Sequence, residues 1–191
     1  MANFKPFAAA LVARPALAGF LWGLAEGSVF FIVPDVVISF VALFSLRRAF
    51  HCAAAAAFGA AVAGVGLYAT SSFRPDIALA IVGHVPFVTA RTLSEVPVDY
   101  DRYGLWALFV GALSGVPYKI YAVSAPPRFG LLAFALTTIP ARLFRFVLVG
   151  LAAGVAARAL PGQFRAPGRL ASLHAICWAI FYGSYWYGVS Q

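Results

Sequence analysis

From Phe7 to Leu46 the chain stays apolar for about 40 residues, twice the length that one membrane-crossing helix needs. The run is interrupted at Glu26, Pro34 and Asp35. The piece after the break, Val36 to Leu46, has 11 residues. At roughly 1.5 Å per residue it covers only about half of a hydrocarbon core, so it must turn back. The segment 7–46 therefore reads as two half-helices folded into a re-entrant hairpin.

The same pattern returns at 103–127. A short helix up to Leu113 meets Ser114, Gly115 and Pro117, resumes briefly, and halts at Pro126 and Pro127. Proline removes a backbone donor and glycine loosens the helix, which leaves polar backbone groups at membrane depth. Lipid cannot satisfy such groups, but a cavity can. The hairpin breaks are thus placed at Pro34 and at Ser114, Gly115 and Pro117.

Composition agrees with this class. The 191 residues are 63% hydrophobic and 10% charged, with a mean hydropathy of +0.89, more apolar surface than one water-soluble core of this size could hide. Three further segments are long enough to span: 49–69, which is rich in alanine and glycine, 128–157, and 171–190, whose Tyr182, Tyr185, Trp186 and Tyr187 suit an interfacial belt. The expected fold is an all-α integral membrane protein. It is one transmembrane domain over 1–191, an inverted repeat of two opposed re-entrant hairpins plus about three full transmembrane helices. The connection 70–102 is mixed in charge and reads as an extracytoplasmic amphipathic cover.

Charge sets the orientation. Lys5, Arg14, Arg47, Arg48, Arg158, Arg165 and Arg169 fall on one side with no acid among them, which predicts a cytoplasmic face and a cytoplasmic N-terminus. Arg74, Arg91, Arg102 and Arg128 on the other side are cancelled by Asp76, Glu95, Asp99 and Asp101. The net charge of +8 is accounted for by that face and anionic headgroups, and no basic cluster with interleaved aromatics suggests nucleic acid. Cys52 and Cys177 lack metal or redox spacing and read as buried packing, while His51, His84 and His174 are dispersed and read as interfacial. No metal, cofactor or catalytic group is expected. Trp22 and Trp106, one in each hairpin, suit interfacial anchoring and core packing equally.

Five charges remain, all in hairpins or the long helix: Glu26, Asp35, Lys119, Arg142 and Arg145. Charges at membrane depth are costly and pair or face a cavity. Arg142 and Arg145 are three apart on one helical face, and two guanidiniums with Lys119 nearby suit a phosphate. The alternative is an ion-pair cluster of purely structural value with Glu26 and Asp35. Those acids would serve proton coupling, or would only neutralise a base. Two interrupted segments at corresponding positions point to an inverted-repeat transporter with its site at the midplane. Gly150 and Gly154, a GxxxG, and the face Ala53 to Ala63 suit close helix packing, within one chain or in a homo-oligomer.

The run from SGVPYKIY (114–121) to IPARLFRF (139–146) and Gly150 resembles the DedA family, also called the VTT-domain or SNARE-associated Golgi protein family, in a short bacterial-type form. Glu26, Pro34, Asp35, Gly66 and Tyr68 are similar in the first half, so the resemblance covers about residues 19–154. It implies a bacterial inner-membrane protein that moves phospholipids or undecaprenyl phosphate as a flippase or scramblase, in some members coupled to protons. Arg142 and Arg145 would bind the headgroup, Glu26 and Asp35 would be the membrane acids, and Lys119 would belong to a PYK variant. The chain departs from the family in having Asp35 for a glutamate and Ala125, Pro126 and Pro127 for a glycine-rich exit. Two other functions stay open: a small-ion or cation/proton transporter maintaining membrane homeostasis, and a membrane-bound lipid-phosphate enzyme.

Overall fold

The computed structural model describes residues 11–189, so Lys5, the start of the first hairpin and Ser190 lie outside the described residues, as does the side chain of Tyr185. Every regular element described is helical, with no strand. In chain order these are α1 (Pro15–Ser28), α2 (Asp35–Phe44), α3 (Leu46–Phe73), α4 (Pro75–Gly83), α5 (Ala90–Tyr103), α6 (Ala107–Ser114), α7 (Tyr118–Ser124), α8 (Leu131–Ala159) and α9 (Pro167–Val189). Short 3₁₀ turns at Gly104–Trp106 and Gly162–Phe164 join α5 to α6 and α8 to α9.

Two of the described helices, α3 with 28 residues and α8 with 29, are long and apolar enough to cross a membrane. About three were expected. The third, α9, has 23 residues, and histidine, serine, tyrosine and tryptophan side chains interrupt its apolar sequence.

Helices α1 and α3 approach most closely, and small residues explain why. Gly19, Gly23 and Gly27 recur every fourth residue along one face of α1. A Cβ built on Gly19 or Gly23 would land on the carbonyl oxygen of Cys52 or Ala56 in α3, and one on Gly59 would land on that of Phe20. The two backbones are in contact along this seam, the arrangement that small residues at i and i+4 permit. Sequence reading found the alanine face of α3 but missed the glycine row that packs on it, although its spacing was the available signal.

The GxxxG of α8 is also used within the chain. Gly150 faces Ile38 and Ala49, and Gly154 faces the Leu46 side chain, so α8 closes on α2 and the start of α3. Around these seams lie two apolar clusters: Val37, Ile38, Ala53 and Phe146 belong to one, and Leu67, Tyr100, Tyr121 and Phe134 to the other.

Both chain breaks are present. α1 stops at Ser28, and Pro34 precedes α2. α6 stops at Ser114, Gly115 takes a left-handed φ of 84° that costs glycine least, and Pro117 precedes α7. The segment 70–102 folds as α4 and α5. Tyr100 of α5 donates to the Tyr121 carbonyl at 2.9 Å, and Tyr121 donates to Asp99 at 2.7 Å, so α5 lies against α7. Trp22 resolves to packing, with its indole N–H on the Ile32 carbonyl at 3.0 Å across the first break, whereas Trp106 is exposed. Cys52 is buried as expected, but Cys177 is exposed on the outer face of α9, which corrects the reading of both cysteines as buried.

Candidate functional site

The five internal charges converge. Glu26 sits in the last turn of α1, Asp35 opens α2, Lys119 is the second residue of α7, and Arg142 and Arg145 stand one turn apart on α8. Arg142 pairs with Glu26, and both are buried. Arg145 pairs with Asp35 through Nη2 and through Nε, the latter at 2.9 Å.

The cations also close the breaks. Lys119 Nζ, in the second broken segment, donates to the Phe30 carbonyl of the first at 2.8 Å. Arg145 Nη1 donates to the Ala112 carbonyl at the end of α6 at 2.6 Å. A helix end leaves carbonyls without intrahelical partners, and burial makes them costly unless something donates to them. Each break therefore has a carbonyl satisfied by a base from elsewhere, and those two bonds tie α7 and α8 to the breaks.

For Lys119 the sequence offered the two acids as candidate partners, or a cavity. Among the described residues no carboxylate lies within ion-pair distance of its ammonium, because each acid is taken by an arginine. Three bases against two acids leave one positive charge in excess in a buried cluster. Among the described residues two buried side-chain polar atoms have no hydrogen-bond partner, Asp35 Oδ1 and Arg142 Nε.

Aromatic rings hold Arg142 in place. Its guanidinium carbon lies 5.1 Å from the Tyr118 ring centre and 4.7 Å from that of Phe146, in reach of both π faces. The Tyr118 hydroxyl bonds to Thr138 at 3.2 Å, and its ring occupies space that Gly64 leaves open. Lys119, Arg142, Arg145, Glu26, Tyr118 and Pro117 line a cavity of about 120 Å³, with Phe31, Phe87, Trp178 and Tyr182 among the residues on its apolar side. Of the other break residues, Gly115 also lines this cavity, Pro34 is buried, and Ser114 is exposed.

Sequence reasoning missed the contribution of α9. His174, Trp178 and Tyr182 follow one another at four-residue intervals, so they share a face. His174 Nε2 lies 2.9 Å from Ser39 Oγ, Trp178 Nε1 donates to Ser39 at 3.1 Å, and the Val33 N–H donates to the Tyr182 hydroxyl at 3.0 Å. His174, expected at an interface, instead helps fasten α9 to the segment that carries Asp35. The i, i+4, i+8 row was the visible signal.

Three acids of the 70–102 region, Asp76, Glu95 and Asp101, are held in ion pairs outside the buried cluster. Arg74 holds Asp76, and Arg128 holds Asp101, below the usual carboxylate range through side-chain hydrogen bonds. Arg91 pairs with Glu95 one turn away. Arg14, Arg47, Arg48, Arg158, Arg165 and Arg169 are exposed, and Arg48 bonds the Val12 carbonyl while Arg165 bonds that of Arg158. Among the described residues no group of three His, Cys, Asp or Glu side chains could hold a metal ion.

No family model, curated protein or solved structure matches the chain.

Proposed function

We propose that the protein is an integral membrane transporter of the DedA type that moves a phosphate-bearing lipid, such as a phospholipid or undecaprenyl phosphate, in the manner of a flippase or scramblase. The observation that carries this reading is the excess positive charge of a buried cavity built at two chain breaks. An anion with one negative charge balances the cluster, and a lysine with only a carbonyl for a partner is the group most ready to meet it. Broken helices that line a polar cavity between span-length helices are the usual form of a transporter site.

A membrane setting is supported by large apolar side chains on outer faces: Phe58 and Val62 on α3, Leu136 and Val155 on α8, Ile176 and Ile180 on α9, all exposed. On this reading 7–46 and 103–127 enter the bilayer from opposite faces as re-entrant hairpins. The arginine-rich ends of α3, α8 and α9 face the cytoplasm, the N-terminus with them, in a bacterial inner membrane. A phosphate that takes Arg142 from Glu26 leaves a buried carboxylate without its cation. Glu26 and Asp35 are, on this reading, the groups through which transport couples to protons. The cation-transport alternative has less support, since both acids already accept from arginines.

Lipid translocation in proteoliposomes tests the reading, with fluorescent phospholipids and undecaprenyl phosphate as separate substrates. Lys119→Met keeps the side-chain length and removes the charge. It is expected to slow translocation by about tenfold or more, the effect of losing one charge-assisted phosphate contact, with folding retained. Translocation at the parent rate by Lys119→Met, or none by the parent protein, would overturn the proposal.

A further inference from the structure

One side of the charged cavity is a wall of aromatic rings. Phe31, from the first break, and Phe87, from the loop between α4 and α5, line it. Trp186 of α9 touches both from outside, and three ring-centre distances close the triangle: 5.9 Å for Phe31 to Phe87, 6.0 Å for Phe31 to Trp186, and 5.2 Å for Phe87 to Trp186. Trp186 is 52% exposed, so one layer of rings separates the cavity from its surroundings on that side.

Phe87 is held there against its backbone preference. The Val88 N–H donates to the Val85 carbonyl at 3.2 Å, closing a turn with Pro86 and Phe87 at its centre. Phe87 has φ 73°, and it is the one non-glycine with a positive φ among the described residues. In a turn of this kind proline suits the first central position and glycine the second, because a Cβ is crowded at positive φ. A bulky ring persists in such a conformation only where the surroundings over-determine it. Its edge-on contacts with Phe31 and Trp186 supply that restraint.

The rings come from three separate segments. α9 is fastened to the first hairpin by the Ser39, His174 and Trp178 cluster about two turns before Trp186, and by the Tyr182 hydroxyl on the Val33 N–H one turn before it. At the wall itself the three segments meet through their rings.

We infer that Phe31, Phe87 and Trp186 form the gate of the charged cavity. Release of the Phe87 turn from its left-handed backbone swings its ring off the other two and opens the site to an incoming ligand. The inference rests on the reading of the cavity as a binding site, and it adds the residues that control access to it.

Phe87→Gly separates gating from folding. The substitution removes one ring while giving the turn the residue it favours, so thermal stability should be kept. The reporter is Val33→Cys, a residue of the cavity lining, in a Cys177→Ser background with buried Cys52 as the common baseline. A small water-soluble thiol reagent should label this cysteine about tenfold faster in Phe87→Gly than in its parent, since the closed state loses its restraint. Trp186→Ala should accelerate labelling in the same direction. Equal labelling rates in the parent and in both variants overturn the gate. Labelling needs no lipid substrate: faster labelling by a protein that moves no phosphate lipid supports the gate and refutes the transport reading. Equal labelling in an active transporter refutes the gate alone.

Discussion

Arg142→Met is expected to destabilise the folded protein by about 3–5 kcal/mol, the cost of leaving one member of a buried ion pair uncompensated. Glu26 is 4% exposed and Arg142 is 5% exposed, so water cannot replace the missing partner. The size of the loss comes from the abandoned carboxylate more than from any net worth of the pair. Glu26→Leu combined with Arg142→Met should therefore recover most of the stability, because two apolar groups of similar volume need no partner. Arg145→Met should cost less, since the Arg145 side chain is 21% exposed and its truncation opens a path for water to Asp35, whose own side chain is 3% exposed. The Ala112 carbonyl would still lose its donor. Thermal unfolding in detergent of the two single variants and the double variant checks this. A double variant no more stable than Arg142→Met would show that the abandoned Glu26 carboxylate is not the source of the loss.

The same pair explains why structural and functional readings of these residues are compatible. The arginines satisfy acids in the resting cluster, and the competition between carboxylate and phosphate for one guanidinium is what would make ligand entry reversible. An arginine with no acid beside it would hold phosphate tightly and release it slowly. On the proposed reading Lys119, with a neutral acceptor, would give the attraction, and the paired acids would limit its depth.

The breaks were legible in sequence because they rest on local chemistry. Pro34 and Pro117 fix φ and remove donors, Gly115 accepts a left-handed turn, and neither depends on a distant residue. The five internal charges were legible for the same reason, as departures from apolar runs. Their partners were not. Glu26 meets Arg142 and Asp35 meets Arg145 across more than 100 residues, and the choice depends on how α8 is rotated against α1 and α2. Lys119 had the two acids as candidate partners and met the Phe30 carbonyl, because a backbone acceptor leaves no mark in sequence. Phe87 carries the opposite lesson. A proline followed by phenylalanine is no signal for positive φ, so only the packed rings reveal why the turn takes that shape.

Gly23→Ala and Gly66→Ala should move stability in opposite directions, although each adds one methyl group to a helix. At Gly66 on α3 a Cβ meets nothing within 4 Å, so alanine gains helix propensity, up to about 1 kcal/mol. At Gly23 the same methyl falls on the Ala56 backbone, which cannot rotate away as a side chain could. The α1–α3 seam must open, and the cost should reach about 3 kcal/mol, the upper part of the range for overpacking. Glu26 lies three residues beyond Gly23 on the same helix, so the displacement carries into its pairing with Arg142. Gly64→Ala provides the matching test from the other side of the site. Its Cβ would overlap the Tyr118 hydroxyl, pushing the ring from Thr138 and from beneath the Arg142 guanidinium. Gly23→Ala should thus lower both stability and lipid translocation. Gly64→Ala should impair translocation more than stability, since a single ring can shift where a helix backbone cannot. Melting temperature and translocation rate measured together distinguish the cases. If Gly23→Ala melts at or above the temperature of Gly66→Ala, the α1–α3 backbone contact does not hold the site together.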